Sequence, residues 1–278
     1  MRWPRLRVFH GREHGLESAS RRATGSRDDA SWCALGRVPR HVPQRHSWDC
    51  GLACVALVLE CRGWRPIPLS MLMARAGTRS VWSIDLVHVL RTFGVRPLLF
   101  YTSCAGVRPE YARLAFYQRH LKRDTGRVRE RFAQAEADGT VIELRELSSA
   151  DLVRLVCEGV TLPTKTAASH TKALVIALVD QRYLLRQYAA LAPKRWWQRL
   201  WPASDPLVGD AAVSPAHVLP SESFVGHYVV ILGYDGLRDE YLLNDPAQRT
   251  HPCRVPRLLL DVARSAYGTD GDTIVIPL

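Results

Sequence analysis

From about Val42 onward the apolar positions fall into helical and strand-like periods; before it they follow none. Within residues 49–60, Leu52, Val55, Ala56 and Leu59 recur at three- and four-residue spacing, which predicts a helix with one buried face. Residues 64–68 break the pattern, and residues 70–76 resume it as a short helix. Ser83 then caps a further helix with Ile84, Leu86, Val87, Leu90 and Phe93 inward, and Gly94 closes it. Residues 95–101 read as a strand. Residues 111–137 are mostly helical and heavily charged, with Phe116, Tyr117, Leu121, Val128, Phe132 and Ala135 on the apolar side and Gly139 as the stop. Residues 141–144 predict a strand, 149–158 a helix capped by Ser149, and 173–179 a buried strand. Gly226 and His227 open a strand over 228–234, Asp235-Gly236 supplies turn chemistry, and residues 240–243 return as its hairpin partner. No repeat period is visible, and the expected fold is α+β, a helical part carrying Cys50 packed on an antiparallel sheet carrying His227 and Asp245.

Residues 1–40 carry nine Arg against Glu13, Glu17, Asp28 and Asp29 and no sustained apolar period, so they read as a flexible basic tail preceding a domain over 41–278. Their four acids fit poorly with a mitochondrial transit peptide, which is acid-poor. Residues 181–222 read as an insertion: Pro193, Pro202, Pro206, Pro215 and Pro220 prevent long regular elements. Its cluster of Lys194, Arg195, Trp196, Trp197, Arg199 and Trp201 packs the insertion onto the domain or meets a membrane surface or partner.

The chain carries a net charge of +11 over 278 residues, but Lys stands only at positions 122, 165, 172 and 194, so the basicity is almost all Arg. Such a surface attracts nucleic acid or acidic lipid headgroups, although no nucleic-acid-binding module pattern accompanies it. The longest apolar runs, 173–179 and 224–232, are too short to span a bilayer. Seven Cys without a CxxC pair or a secretory signal point to reduced thiols in the cytoplasm, and their spacing does not suit a zinc site even at Cys50, Cys54 and Cys61. No cofactor or metal is expected.

The chemistry concentrates on Cys50. It follows Asp49 as helix cap, sits in the first turn where free N–H groups and the helix dipole favour thiolate, and precedes Gly51, which leaves room for a substrate. A buried, inert thiol is the plain alternative. His227 lies nine positions before Gly236 and Asp245 nine after it, so the hairpin sets an imidazole opposite a carboxylate able to orient it. Cys50, His227 and Asp245 thus follow the order nucleophile, base, orienter of papain-like thiol enzymes. Gln44, six residues before Cys50, can add an amide N–H to the Cys50 backbone N–H as an oxyanion donor.

The stretches QRHSWDCGLAC (44–54), SVWSIDLVHVLRTFGV (80–95), GHYVVILGYD (226–235), Asn244-Asp245-Pro246 and SAYGTD (265–270) resemble the guanylyl-cyclase-domain-containing family of plants and animals. The resemblance covers roughly 41–180 and 223–278, with the 181–222 insertion as a departure. The Gln, Asp-Cys-Gly, Gly-His and Asn-Asp-Pro pattern also resembles, more distantly, the bacteriocin-processing cysteine peptidase domains of bacterial transporters. That likeness implies a papain-like fold with Gln44, Cys50, His227 and Asp245 as oxyanion donor, nucleophile, base and orienter.

The two resemblances imply different chemistry. The first implies conversion of GTP to cyclic GMP, yet the sequence shows neither a Walker-type phosphate loop nor an evident pair of metal-binding carboxylates on facing strands. Asp49, Asp85, Asp235 and Asp245 are better explained as a helix cap, a helix residue, a turn residue and a triad member. The residues themselves favour a thiol hydrolase acting on a peptide or small acyl substrate, with a GTP cyclase and a catalytically silent binding module as the other readings.

Overall fold

The computed structural model describes residues 36–163, 168–185 and 224–278. The tail up to residue 35 and the insertion from residue 186, with its Trp196 to Trp201 patch, lie outside the described residues. Contacts with the domain begin early: Val38 packs against the core, and Arg40 pairs with Glu60 at 2.7 Å.

The fold is α+β. Three helices, α1 (Cys50–Cys61), α2 (Leu69–Ala76) and α3 (Ser83–Thr92), precede strand β1 (Leu99–Thr102). A 3₁₀ turn (Pro109–Arg113), α4 (Ala115–Gln118) and α5 (Leu121–Ala137) follow, then β2 (Val141–Leu144) and α6 (Ser149–Glu158). After them come β3 (Val160–Pro163), β4 (Ala168–Thr171), β5 (Ala173–Asp180), β6 (Gly226–Asp235), β7 (Glu240–Asn244), β8 (Cys253–Pro256), α7 (Arg257–Arg264) and β9 (Thr273–Pro277). Seven strands form one sheet in the order β2-β1-β9-β5-β6-β7-β8, antiparallel except for β1 beside β2, while β3 and β4 form a separate pair. Among the described residues no helix is long and apolar enough to cross a membrane.

Both faces of the central strands are covered. Leu174, Ile176, Leu178, Tyr228, Val230 and Leu232 meet α1, α3 and α5, while Val175, Ala177, Val179, Val229 and Ile231 meet α6 and α7. Side chains alternate across a strand, so two covered faces require an unbroken apolar run, as residues 173–179 and 228–232 provide. Helix α1 departs from the expected single buried face. Every residue from Cys50 to Leu59 is buried, because α1 is wedged between the sheet and α2 and α3 rather than lying at the surface.

Several local boundaries also differ. Ser148, not Ser149, caps α6, its hydroxyl accepting from the Asp151 N–H at 3.1 Å. Trp82 occupies the N-cap of α3, its N–H donating to Asp85 at 2.9 Å, and Ser83 is the first helical residue. Strand β1 starts at Leu99 rather than Val95; Pro97, lacking an N–H, cannot join the ladder. The 111–137 stretch divides at Leu114, whose backbone is extended, and at His120.

Candidate active site

Helix α1 lies directly on β6. A Cβ at Gly51 would stand 2.9 Å from Tyr228 Cδ2 and 3.0 Å from Leu86 Cδ1, and one turn later the Cys54 thiol donates to the Tyr228 carbonyl at 3.3 Å. Gly51 is therefore a packing residue that lets the helix approach the strand, not the space for a substrate expected from its place beside Cys50. This close seating puts the first turn of α1, and with it Cys50, beside the start of β6, where Tyr228 is preceded by His227.

His227 and Asp245 meet across the end of the hairpin, Nε2 to Oδ1 at 2.7 Å, and both are buried. They are not direct partners as counting from Gly236 predicts. The turn is a four-residue loop closed by the Asp235–Glu240 pair, and a bulge shifts the register between Ile231 and Gly233. Val230 pairs with Asn244, so continuation of the ladder sets Asp245 opposite Val229, and His227 reaches it from two positions away on the same face. The Asp235 carboxylate holds the loop by accepting from the Leu237 and Arg238 N–H groups at 3.0 and 3.3 Å.

Burial alone would depress the His227 imidazole. Its hydrogen bonds to Asp245 and to Cys50, with the negative charge of both, overrule that and raise its pKa from 6.5 to about 10. Asp245 occupies Nε2, which leaves Nδ1 to face the Cys50 sulfur. The result is a continuous series from thiol through imidazole to carboxylate, with the imidazole protonated near neutral pH. The neighbouring thiol of Cys54 has the opposite environment: burial, then the charges of Cys50 and Asp245, push it up.

The segment before α1 supports this arrangement. Asp49 is buried at the N-cap position, but its carboxylate does not cap the helix as expected; it turns back to accept from Arg45 N–H at 3.1 Å and His46 N–H at 3.0 Å. The first-turn N–H of Cys50 is thus not taken by a side-chain cap. Gln44 N–H donates to Pro246 O at 2.9 Å, tying the segment to the residue after Asp245. Its side-chain amide donates to His46 O at 3.0 Å, so the partner it takes here lies within its own loop. Further back, His41 Nδ1 meets Asn244 Oδ1 at 2.8 Å, and His251 Nε2 meets Pro39 O at 2.8 Å with the two imidazoles stacked. Sequence reasoning misses His41 and His251; the only signal for them is the polar Asn244 ending an apolar strand.

A second buried polar cluster is built around Tyr228, the next residue of β6. Tyr228 Oη shares a hydrogen bond with Ser83 Oγ at 3.0 Å, and Ser83 and Thr102 hydrogen-bond Asp272. Burial, reinforced by the charge of Asp270, raises the Asp272 carboxyl from 3.8 to about 8 despite those bonds. Asp270 itself accepts from Arg108 and Tyr111, each at 2.6 Å. Among the described residues no group of three or more His, Cys, Asp or Glu side chains converges as a metal site would.

The family profile described as guanylylate cyclase matches residues 39–276. Guanylyl cyclase 1 of Arabidopsis thaliana is 34% identical over 238 residues, which cover 86% of this chain and 75% of that protein. The matched span takes in α1 with Cys50, the His227–Asp245 hairpin and the Asp270–Asp272 turn. The chain belongs to the guanylylate cyclase family.

Proposed function

We propose that this member of the family is a thiol hydrolase of papain-like architecture acting on a peptide or small acyl carbonyl. One observation carries the reading: the buried hydrogen-bonded series Cys50–His227–Asp245, with the imidazole held protonated. In the first half-reaction Cys50 Sγ attacks the carbonyl carbon and a C–S bond forms. The developing oxyanion is met by the Cys50 backbone N–H and, after a side-chain rotation away from His46 O, by the Gln44 amide. His227 Nδ1–H then protonates the leaving amine or alkoxide as its bond to carbon breaks, leaving a thioester. In the second half, neutral His227 takes a proton from water, hydroxide attacks the thioester, and the acid and the Cys50 thiolate are released with His227 protonated again. Asp245 fixes the ring orientation throughout.

Labelling with an alkyne-bearing iodoacetamide, followed by peptide mass spectrometry, tests this. The expected result is selective modification of Cys50 that His227→Ala suppresses; equal labelling of Cys54 and Cys61 would contradict it.

A second reading rests on the family and the name of the Arabidopsis relative: attack of a GTP ribose 3′-oxygen on its α-phosphorus, with loss of pyrophosphate, to give cyclic GMP. It assigns no role to Cys50. Cyclic GMP formed from GTP and Mg²⁺ by purified protein, undiminished in Cys50→Ala, would favour it over the hydrolase.

A further inference from the structure

Reaching to within two residues of Cys50 along the chain, a cleft of about 680 Å³ opens between the loop before α1, the α2–α3 connection and the start of α5. Trp48 forms one wall. Its ring stacks on His46 at 5.6 Å, and the Arg79 guanidinium lies over it, 5.6 Å from the ring centroid. Arg123 and Arg127 also line it, both paired with the buried carboxylate of Asp124. The cations differ in what they have left to offer. Arg127 is committed to Asp85 and Asp124. Arg123 engages Asp124 through Nε at 3.2 Å, which leaves its terminal nitrogens as donors, and Arg79 has no carboxylate partner among the described residues. Two exposed guanidinium forks therefore flank an aromatic wall.

We infer that this cleft binds a carboxylate side chain of an acidic peptide substrate, two or three residues from the bond attacked. The inference rests on the hydrolase reading and adds a substrate class to it. The distance follows from the chain: Trp48 is two residues from Cys50, at most roughly 7 Å of backbone, the reach of about two residues of extended peptide. The volume suits one or two side chains. The guanidinium fork matches a carboxylate, and Asp124 in the wall opposes the denser charge of a polyphosphate more than that of a single carboxylate.

The test uses the full-length protein and acetyl-hexaglutamate carrying an uncharged dye, read by fluorescence anisotropy, with hexaglutamine as the neutral counterpart. Hexaglutamate is expected to bind and hexaglutamine not. R79A/R123A should weaken binding roughly tenfold or more, whereas R154A/R238A, which removes two exposed guanidiniums elsewhere, should leave it within about twofold. Equal loss in both double variants, or none in the first, overturns the inference. Tighter binding of inorganic pyrophosphate than of hexaglutamate, with the same dependence on Arg79 and Arg123, overturns it in favour of a phosphate site. R79K/R123K keeps the charge without the fork and answers the same question, through a smaller loss, if the alanine variant does not fold. Hexaglutamate should also slow alkylation of Cys50 by iodoacetamide. An unreactive Cys50 would defeat the hydrolase reading while anisotropy still decides the fate of the cleft.

Discussion

His227 and Tyr228 are neighbours on β6, yet they lead into two different buried polar clusters, and those clusters are built on opposite principles. In the first, His227 is held protonated by partners: Asp245 and Cys50 supply enough hydrogen bonding and negative charge to overrule burial. In the second, Tyr228 leads through Ser83 to Asp272, whose carboxyl is held protonated chiefly by burial, with Asp270 adding to the effect. The first cluster is a paired charge with a nucleophile at its end. The second is a neutralised acid buried beside the start of α3. A polar residue in a buried strand therefore does not announce its role; the charge facing it does.

Removing the partner in the first cluster should have the largest effect on stability. Asp245→Ala leaves a buried imidazole without its carboxylate and is expected to cost about 3–5 kcal/mol, measured by denaturant unfolding at pH 6. The pH dependence has a definite sign. Because the folded pKa of His227 lies above 6.5, its contribution is fully present below about pH 6.5 and is lost as pH rises through about 10. Asp245→Ala should flatten that slope; an unchanged slope would mean the pair does not stabilise the fold.

Next in size is the contact that seats α1 on β6. Gly51→Ala drives a methyl group into Tyr228 and Leu86, and should cost about 1–3 kcal/mol by displacing α1 from β6. It should also slow Cys50 alkylation. A variant as stable and as reactive as the wild type would show that the close approach positions nothing.

The smallest effect belongs to the second cluster. A raised carboxyl pKa favours the folded state while the group is protonated, so Asp272 contributes most below about pH 3.8 and loses that contribution as pH rises to about 8. Asp272→Asn should match the wild type near pH 4 and exceed it by about 1–2 kcal/mol at pH 9, read from thermal unfolding. Equal stability at pH 9 would mean that Asp272 ionises freely there.

How much of this is legible in the sequence depends on how local the determining interaction is. Helix α1, the β6–β7 hairpin and the meeting of His227 with Asp245 follow from periodicity and turn chemistry, all short-range signals. The register does not, because the loop is held by the Asp235 side chain and a bulge intervenes, and neither has a distinctive spacing. By their place in the chain Asp49 and Gly51 read as cap and substrate space. Their roles are set instead by the Arg45 and His46 N–H groups and by Tyr228, and Tyr228 lies far away in sequence. Strand β9 lies inside the sheet, between β1 and β5, but offers only Ile274, Val275 and Ile276 as an uninterrupted apolar run, too short to stand out. The cleft draws Trp48, Arg79 and Arg123 from three segments, a convergence that no linear motif records.

Whether the protonated imidazole of His227 activates Cys50 is decided by the pH profile of Cys50 alkylation by iodoacetamide in wild type and His227→Ala. An ordinary thiol with a pKa of about 8.5 is almost wholly protonated at pH 6. Wild-type Cys50 is expected to react readily even at pH 6, and His227→Ala to slow it there by about a hundredfold or more. A wild-type profile that rises only near pH 8.5, and that His227→Ala leaves unchanged, would contradict that activation.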